Sequence, residues 1–81
     1  MGKVERAVIE AVVRGIGSGL PCVAESVLQD AARAAGGVGK AAEYAVARLL
    51  RRGLLSSQWD GSERIGYRPT AKAYEELGPD D

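Results

Sequence analysis

The apolar spacing of this chain switches once, at Gly53, and that switch limits the folds open to it. Before Gly53, apolar residues recur at three- and four-residue intervals, as on the packed side of a helix. After it come two strand-like runs, Leu54 to Trp59 and Arg64 to Arg68, joined at Asp60-Gly61-Ser62-Glu63. Asp-Gly between such runs is a strong hairpin signal. Leu55, Trp59, Ile65 and Tyr67 supply the apolar and aromatic side chains that strands favour. Pro69 has no N–H to give a ladder, so the second strand ends there or lies at an edge. At 81 residues the helices and the hairpin belong to one domain. Thirteen Ala and no Phe leave 24 larger apolar residues to build its core. A chain of this size buries roughly 60% of its unfolded surface, enough for a small core without disulfides.

The first helix runs from about Lys3 to Gly15. Val4, Val8, Ala11 and Val12 form one stripe, and Ile9, Val13 and Ile16 form a second beside it. Lys3, Arg6, Glu10 and Arg14 are left as the polar edge. Two stripes are wider than one packing face needs. The second is therefore expected to be covered within the chain or to join two copies as a homodimer. Gly15-Ile16-Gly17-Ser18-Gly19 ends this helix. Pro21 suits the start of a second helix, from about Cys22 to Ala35. Its apolar face reads Val23, Val27, Ala31 and Ala34, with Glu25, Gln29 and Arg33 opposite.

Gly36-Gly37-Val38-Gly39 turns the chain into a third helix, from about Lys40 to Arg52, stopped by Gly53. Ala42, Ala45, Val46, Leu49 and Leu50 share one face of it; Lys40, Tyr44, Ala47, Arg48 and Arg51 share the other. Thr70 is placed to cap a short last helix, Ala71 to Leu77, with Tyr74 and Leu77 packing back on the body. Residues 78–81 read as a frayed acidic end, leaving a structured part of about 3–77.

The chain has no His, and Cys22 is its only cysteine. A disulfide scaffold is excluded, and a Cys/His zinc site would have at most one ligand. The commonest general base is missing too, so Cys22 reads as a small packed hydrophobe and not a nucleophile. Gly39-Lys40 suggests a phosphate loop, but Ala34 stands where the first glycine belongs and Ala41 where Ser or Thr would hold magnesium. The glycines at 15–19 follow a helix, not a strand, and lead into Leu20-Pro21, which does not fit a phosphate cradle either. Neither an enzyme nor a cofactor is expected. The longest uncharged run, Gly15 to Ala24, falls far short of the roughly 20 residues a bilayer span needs. Met1 to Arg6 mixes charges into its apolar residues, unlike a signal peptide. The expected setting is cytoplasmic, with no membrane partner.

Eleven Lys and Arg balance eleven Asp and Glu, but the charges are segregated. Residues 40–72 hold seven basic against three acidic side chains, net +4, and residues 73–81 hold four acidic and none basic, net −4. The basic half coincides with the third helix and the hairpin. Such clustering is an electrostatic footprint for a polyanion, set against the plainer reading of a solvated face.

The order helix, helix, helix, hairpin, short helix, with a short Gly-rich turn between the second and third, has the layout of a helix-turn-helix. In Leu49-Leu50-Arg51-Arg52-Gly53-Leu54-Leu55, Asp60-Gly61 and Tyr67-Arg68-Pro69-Thr70-Ala71-Lys72, the sequence resembles winged-helix transcription regulators of the MarR and PadR kind. Pro69 and Ala73 depart from that pattern, which has Leu and Gly there. The resemblance spans about residues 4–77 and implies a mainly helical α+β fold: a three-helix bundle, a two-stranded wing and a short C-terminal helix. It implies that the third helix enters the major groove of double-stranded DNA and that the wing meets the backbone. Lys40, Ala41, Tyr44, Arg48 and Arg51 on the helix, and Arg64 and Arg68 on the wing, would then touch DNA. The function expected is transcriptional regulation. The alternative is a winged-helix module that binds protein within a transcription or replication assembly.

Overall fold

Helices α1 (Lys3–Gly17), α2 (Glu25–Ala34) and α3 (Ala41–Arg51), strands β1 (Leu55–Asp60) and β2 (Glu63–Pro69), and helix α4 (Ala71–Leu77) follow in that order. They are seen in a computed structural model that describes residues 1–78. Among the described residues the protein is a small α+β arrangement of four helices and a two-stranded antiparallel hairpin. The expected fraying of Pro79, Asp80 and Asp81 lies outside the described residues.

The first three helices stop by one device. After α3, Gly53 takes φ 76°, and the N–H groups of Gly53 and Leu54 bond the Leu50 and Leu49 carbonyls. This paired closure satisfies helix-end acceptors and needs a left-handed residue, which glycine supplies without strain. The same bond pair closes α2 at Gly36-Gly37 and α1 at Gly19-Leu20. The stop of α1 therefore lies later than expected, and Gly15 sits inside the helix. A Cβ on Gly15 would meet Val23 Cγ2 at 2.5 Å, so this glycine serves close packing and not termination.

The second helix departs most from expectation. It begins at Glu25, because Val23 is used elsewhere: its N–H and C=O exchange 2.9 Å bonds with the Tyr67 C=O and N–H of β2. With that start, Leu28 and Ala32 face the core, while Val27 is 43% exposed and Ala34 is also in solvent. The expected face of Val23, Val27, Ala31 and Ala34 is thus corrected. Leu28 is a larger apolar side chain than Val27, and turning it inward buries more apolar surface.

Ile9 is fully buried in the core, Ile16 packs against that core, and Val13 is half-buried beside Tyr74 and Leu77 of α4. The stripe Ile9, Val13 and Ile16 is therefore covered within the chain, where α1 packs on α2, α3 and β2. The same core includes Val8, Val12, Leu28, Leu49, Leu54 and Tyr67.

In the hairpin, Asp60 pairs with Glu63 around a Gly61-Ser62 loop. Gly61 has φ 63° at the first loop position, where a type II′ turn takes glycine. Pro69 closes the ladder opposite Leu55. The last helix then locks the end of α3. Thr70 Oγ1 accepts from the Ala73 N–H and donates to the Gly53 C=O at 2.6 Å, and Lys72 Nζ donates to the Arg52 C=O at 2.9 Å. Ala73 is the residue α4 buries and Leu77 is partly buried, while Tyr74 lies beside Val13 of α1 and stays about half in solvent.

Candidate nucleic-acid interface

The outer side of α3 follows from its period. With Ala45, Val46 and Leu49 buried, residues offset by about half a turn must face out. Lys40, Tyr44, Ala47, Arg48 and Arg51 are exposed, and Ala41 is half-buried. Glu43 is exposed on the same helix and dilutes its positive charge. Lys40 occupies the N-cap position without a side-chain cap bond.

The arginines expected to act together have different surroundings. Arg48 leans toward α1 and pairs with Glu5 at 3.6 Å. Its side chain is 60% exposed, but that of Glu5 is only 13% exposed. The carboxylate sits in the first turn of α1, where the helix dipole favours it. Arg68 donates to the Pro21 C=O at 2.7 Å and ties β2 to the loop before α2. Arg52 pairs with Glu76 at 3.0 Å. Among the described residues, no hydrogen bond or ion pair engages the Lys40 or Arg51 side chain. Arg68 and Lys72 bond neutral carbonyls, so no carboxylate offsets them there. Only Arg48 and Arg52 are paired with carboxylates within this basic half, among the described residues.

Arg64 has the most elaborate setting. Its guanidinium lies 5.1 Å from the Trp59 ring centroid and 5.5 Å from that of Tyr67. Its Nη1 donates to Tyr67 Oη at 2.8 Å, and that hydroxyl donates to Glu25 Oε1 at 3.0 Å. In a regular strand, residues three apart point to opposite faces. Here Gln58 pairs with Gly66 but Trp59 pairs with Arg64, so Ile65 is the extra residue of a bulge. The bulge returns Arg64 to the Tyr67 side. Glu5 and Glu25 were not legible as partners in the sequence, because neither lies near its arginine along the chain. Trp59 was legible only as a strand residue.

Burial pushes the Tyr67 phenol above its ordinary value of 10.0; the Arg64 bond opposes the rise, and the Glu25 carboxylate adds to it. A folded-state value raised above the unfolded one adds stability that is complete below the unfolded value of about 10. That contribution is lost as pH climbs through the folded value. Phenolate absorbance should therefore show one component that ionises above the ordinary phenol range, and Tyr67→Phe should remove it. A Tyr67 that ionises at the ordinary value in the folded chain would contradict its burial.

Among the described residues, no group of three or more His, Cys, Asp or Glu side chains is placed to hold a metal. Among the described residues, no helix is long and apolar enough to cross a membrane. Cys22 is half-buried, with Sγ 3.8 Å from the Ile65 C=O. No protein-family model matches the chain, and no curated protein matches it.

Proposed function

We propose that this is a winged-helix protein that binds double-stranded DNA and regulates transcription, acting within the cytoplasm. In this reading α2 and α3 form the helix-turn-helix, α3 enters the major groove, and the hairpin is the wing on the backbone. The observation that carries it is the outer side of α3, where Lys40, Tyr44, Arg48 and Arg51 stand clear of the core. A helix fits the major groove, arginine bonds guanine edges bidentately, and lysine or arginine meets phosphates. Lys40 and Arg51 suit phosphate contacts. Arg48 first has to leave Glu5, or else to work from that pair. Ala41 and Ala47 offer only methyl groups, which limits base reading to Tyr44 and Arg48.

A second reading, a winged-helix module that binds protein, is favoured by a different observation. Val38 is 82% exposed, and Tyr44, Trp59 and Ile65 are about half exposed. Aromatic residues are enriched in protein interfaces.

A salt-titrated duplex-binding assay separates the two. DNA binding should weaken with salt at a logarithmic slope of about −0.9 per phosphate neutralised. Arg51→Ala should weaken binding on every sequence and flatten that slope by about one. Absence of salt-dependent duplex affinity at low ionic strength would transfer the function to the protein-binding reading.

A further inference from the structure

We propose that Tyr67 and Trp59 are positioning residues for Arg64, holding its guanidinium in one pose before a duplex arrives. The inference rests on the DNA-binding reading and deepens it. A long, exposed arginine normally loses rotamer freedom when it docks, and that loss weakens binding. Arg64 has already lost it. The bulge at Ile65 aims it, the Trp59 and Tyr67 rings lie beside its charged plane, and the Tyr67 hydroxyl fixes one N–H at 2.8 Å.

Glu25 makes that hydroxyl an acceptor. A phenol has one proton, and an ionised carboxylate can only accept. The Tyr67 proton therefore points to Glu25 at 3.0 Å, which leaves an oxygen lone pair for Arg64. The relay runs one way, from Arg64 to Tyr67 to Glu25. Tyr67 is fully buried and cannot swing aside, so the anchor is rigid. Arg64 itself is exposed, and four of its five N–H donors are not used by Tyr67. Those donors can bond a phosphate while the pose is kept.

The experiment compares the full chain with Arg64→Ala, Tyr67→Phe and Trp59→Ala. In the free protein, the Arg64 Nε–Hε resonance should be shifted by the two rings and should show restricted motion. Tyr67→Phe should leave the ring but release the group, and Trp59→Ala should reduce the ring shift. In salt-titrated duplex binding, Arg64→Ala should weaken affinity and flatten the slope by about one. Tyr67→Phe and Trp59→Ala keep every charge, so each should weaken affinity about threefold to tenfold with the slope unchanged, the loss expected when one side chain must be ordered on binding. A purely structural role would not combine lost affinity, an unchanged slope and a mobile Arg64. Trp59 is 55% exposed, so its variant carries the test if Tyr67→Phe fails to fold. Wild-type affinity in Arg64→Ala, or in both positioning variants, overturns the inference while DNA binding itself stands. A mobile Arg64 in the wild type also overturns it. No duplex binding by the wild type instead removes the DNA-binding reading, and this role with it.

Discussion

Leu28→Ala should destabilise the protein by about 2–5 kcal/mol, the range for truncating a buried leucine and leaving a cavity. Leu28 is fully buried among the core residues of all three long helices. Val27→Ala, one position away, should cost far less, within about 0.5–1 kcal/mol, because Val27 already meets water. The contrast is large against the total. At roughly 0.05–0.15 kcal/mol per residue, a domain of this size holds only about 4–12 kcal/mol. Each kcal/mol lost should lower the melting midpoint by roughly 4–8 °C. Thermal and urea melts of the two variants read the orientation of α2 directly. A costlier Val27 variant would restore the face that the apolar spacing first suggests.

The other large effect should come from Gly66→Ala. A Cβ at this position would stand 2.8 Å from the Val23 carbonyl oxygen and 2.8 Å from Cys22 Sγ. The sulfur belongs to a side chain and can turn. The carbonyl is backbone, and it is the acceptor of the Tyr67 N–H bond that joins the hairpin to the start of α2. Relief must therefore open that bridge, at the cost of about 1–3 kcal/mol that overpacking usually carries. Amide exchange should accelerate at Val23 and Tyr67, with α3 little changed. If Gly66→Ala melts with the wild type, the bridge between Val23 and Tyr67 is absent in solution.

Both effects arise where residues far apart in the chain meet, and the sequence was least legible there. The α3 stop at Gly53, the hairpin, the Thr70 cap and the two sides of α3 are legible in the sequence to within a residue or two, whereas the α1 stop is not. Each depends on local chemistry: glycine at a left-handed position, a hydroxyl three residues before an N–H, an apolar period within one helix. Candidate contact residues on α3 were legible for the same reason. That Arg48 would face Glu5, or that Arg68 would bond the Pro21 carbonyl, was not.

The sequence by itself determined which segments are helix and which are hairpin, that glycine ends α3 at Gly53, and that α3 turns its basic side outward. These outcomes are set by residues within about four positions of one another, the reach of helix and turn hydrogen bonds. Only the tertiary structure decided where α2 begins, which of its faces is buried, and what holds each arginine. Val23 could extend α2 until Tyr67, 44 positions later, supplies a strand partner for its backbone. Leu28 and Val27 both fit the apolar spacing of α2, and its packing against α1 and α3 turns Leu28 inward. An arginine side chain reaches many acceptors, so its partner is whatever the packed elements bring beside it: for Arg64, one bulge and one buried phenol.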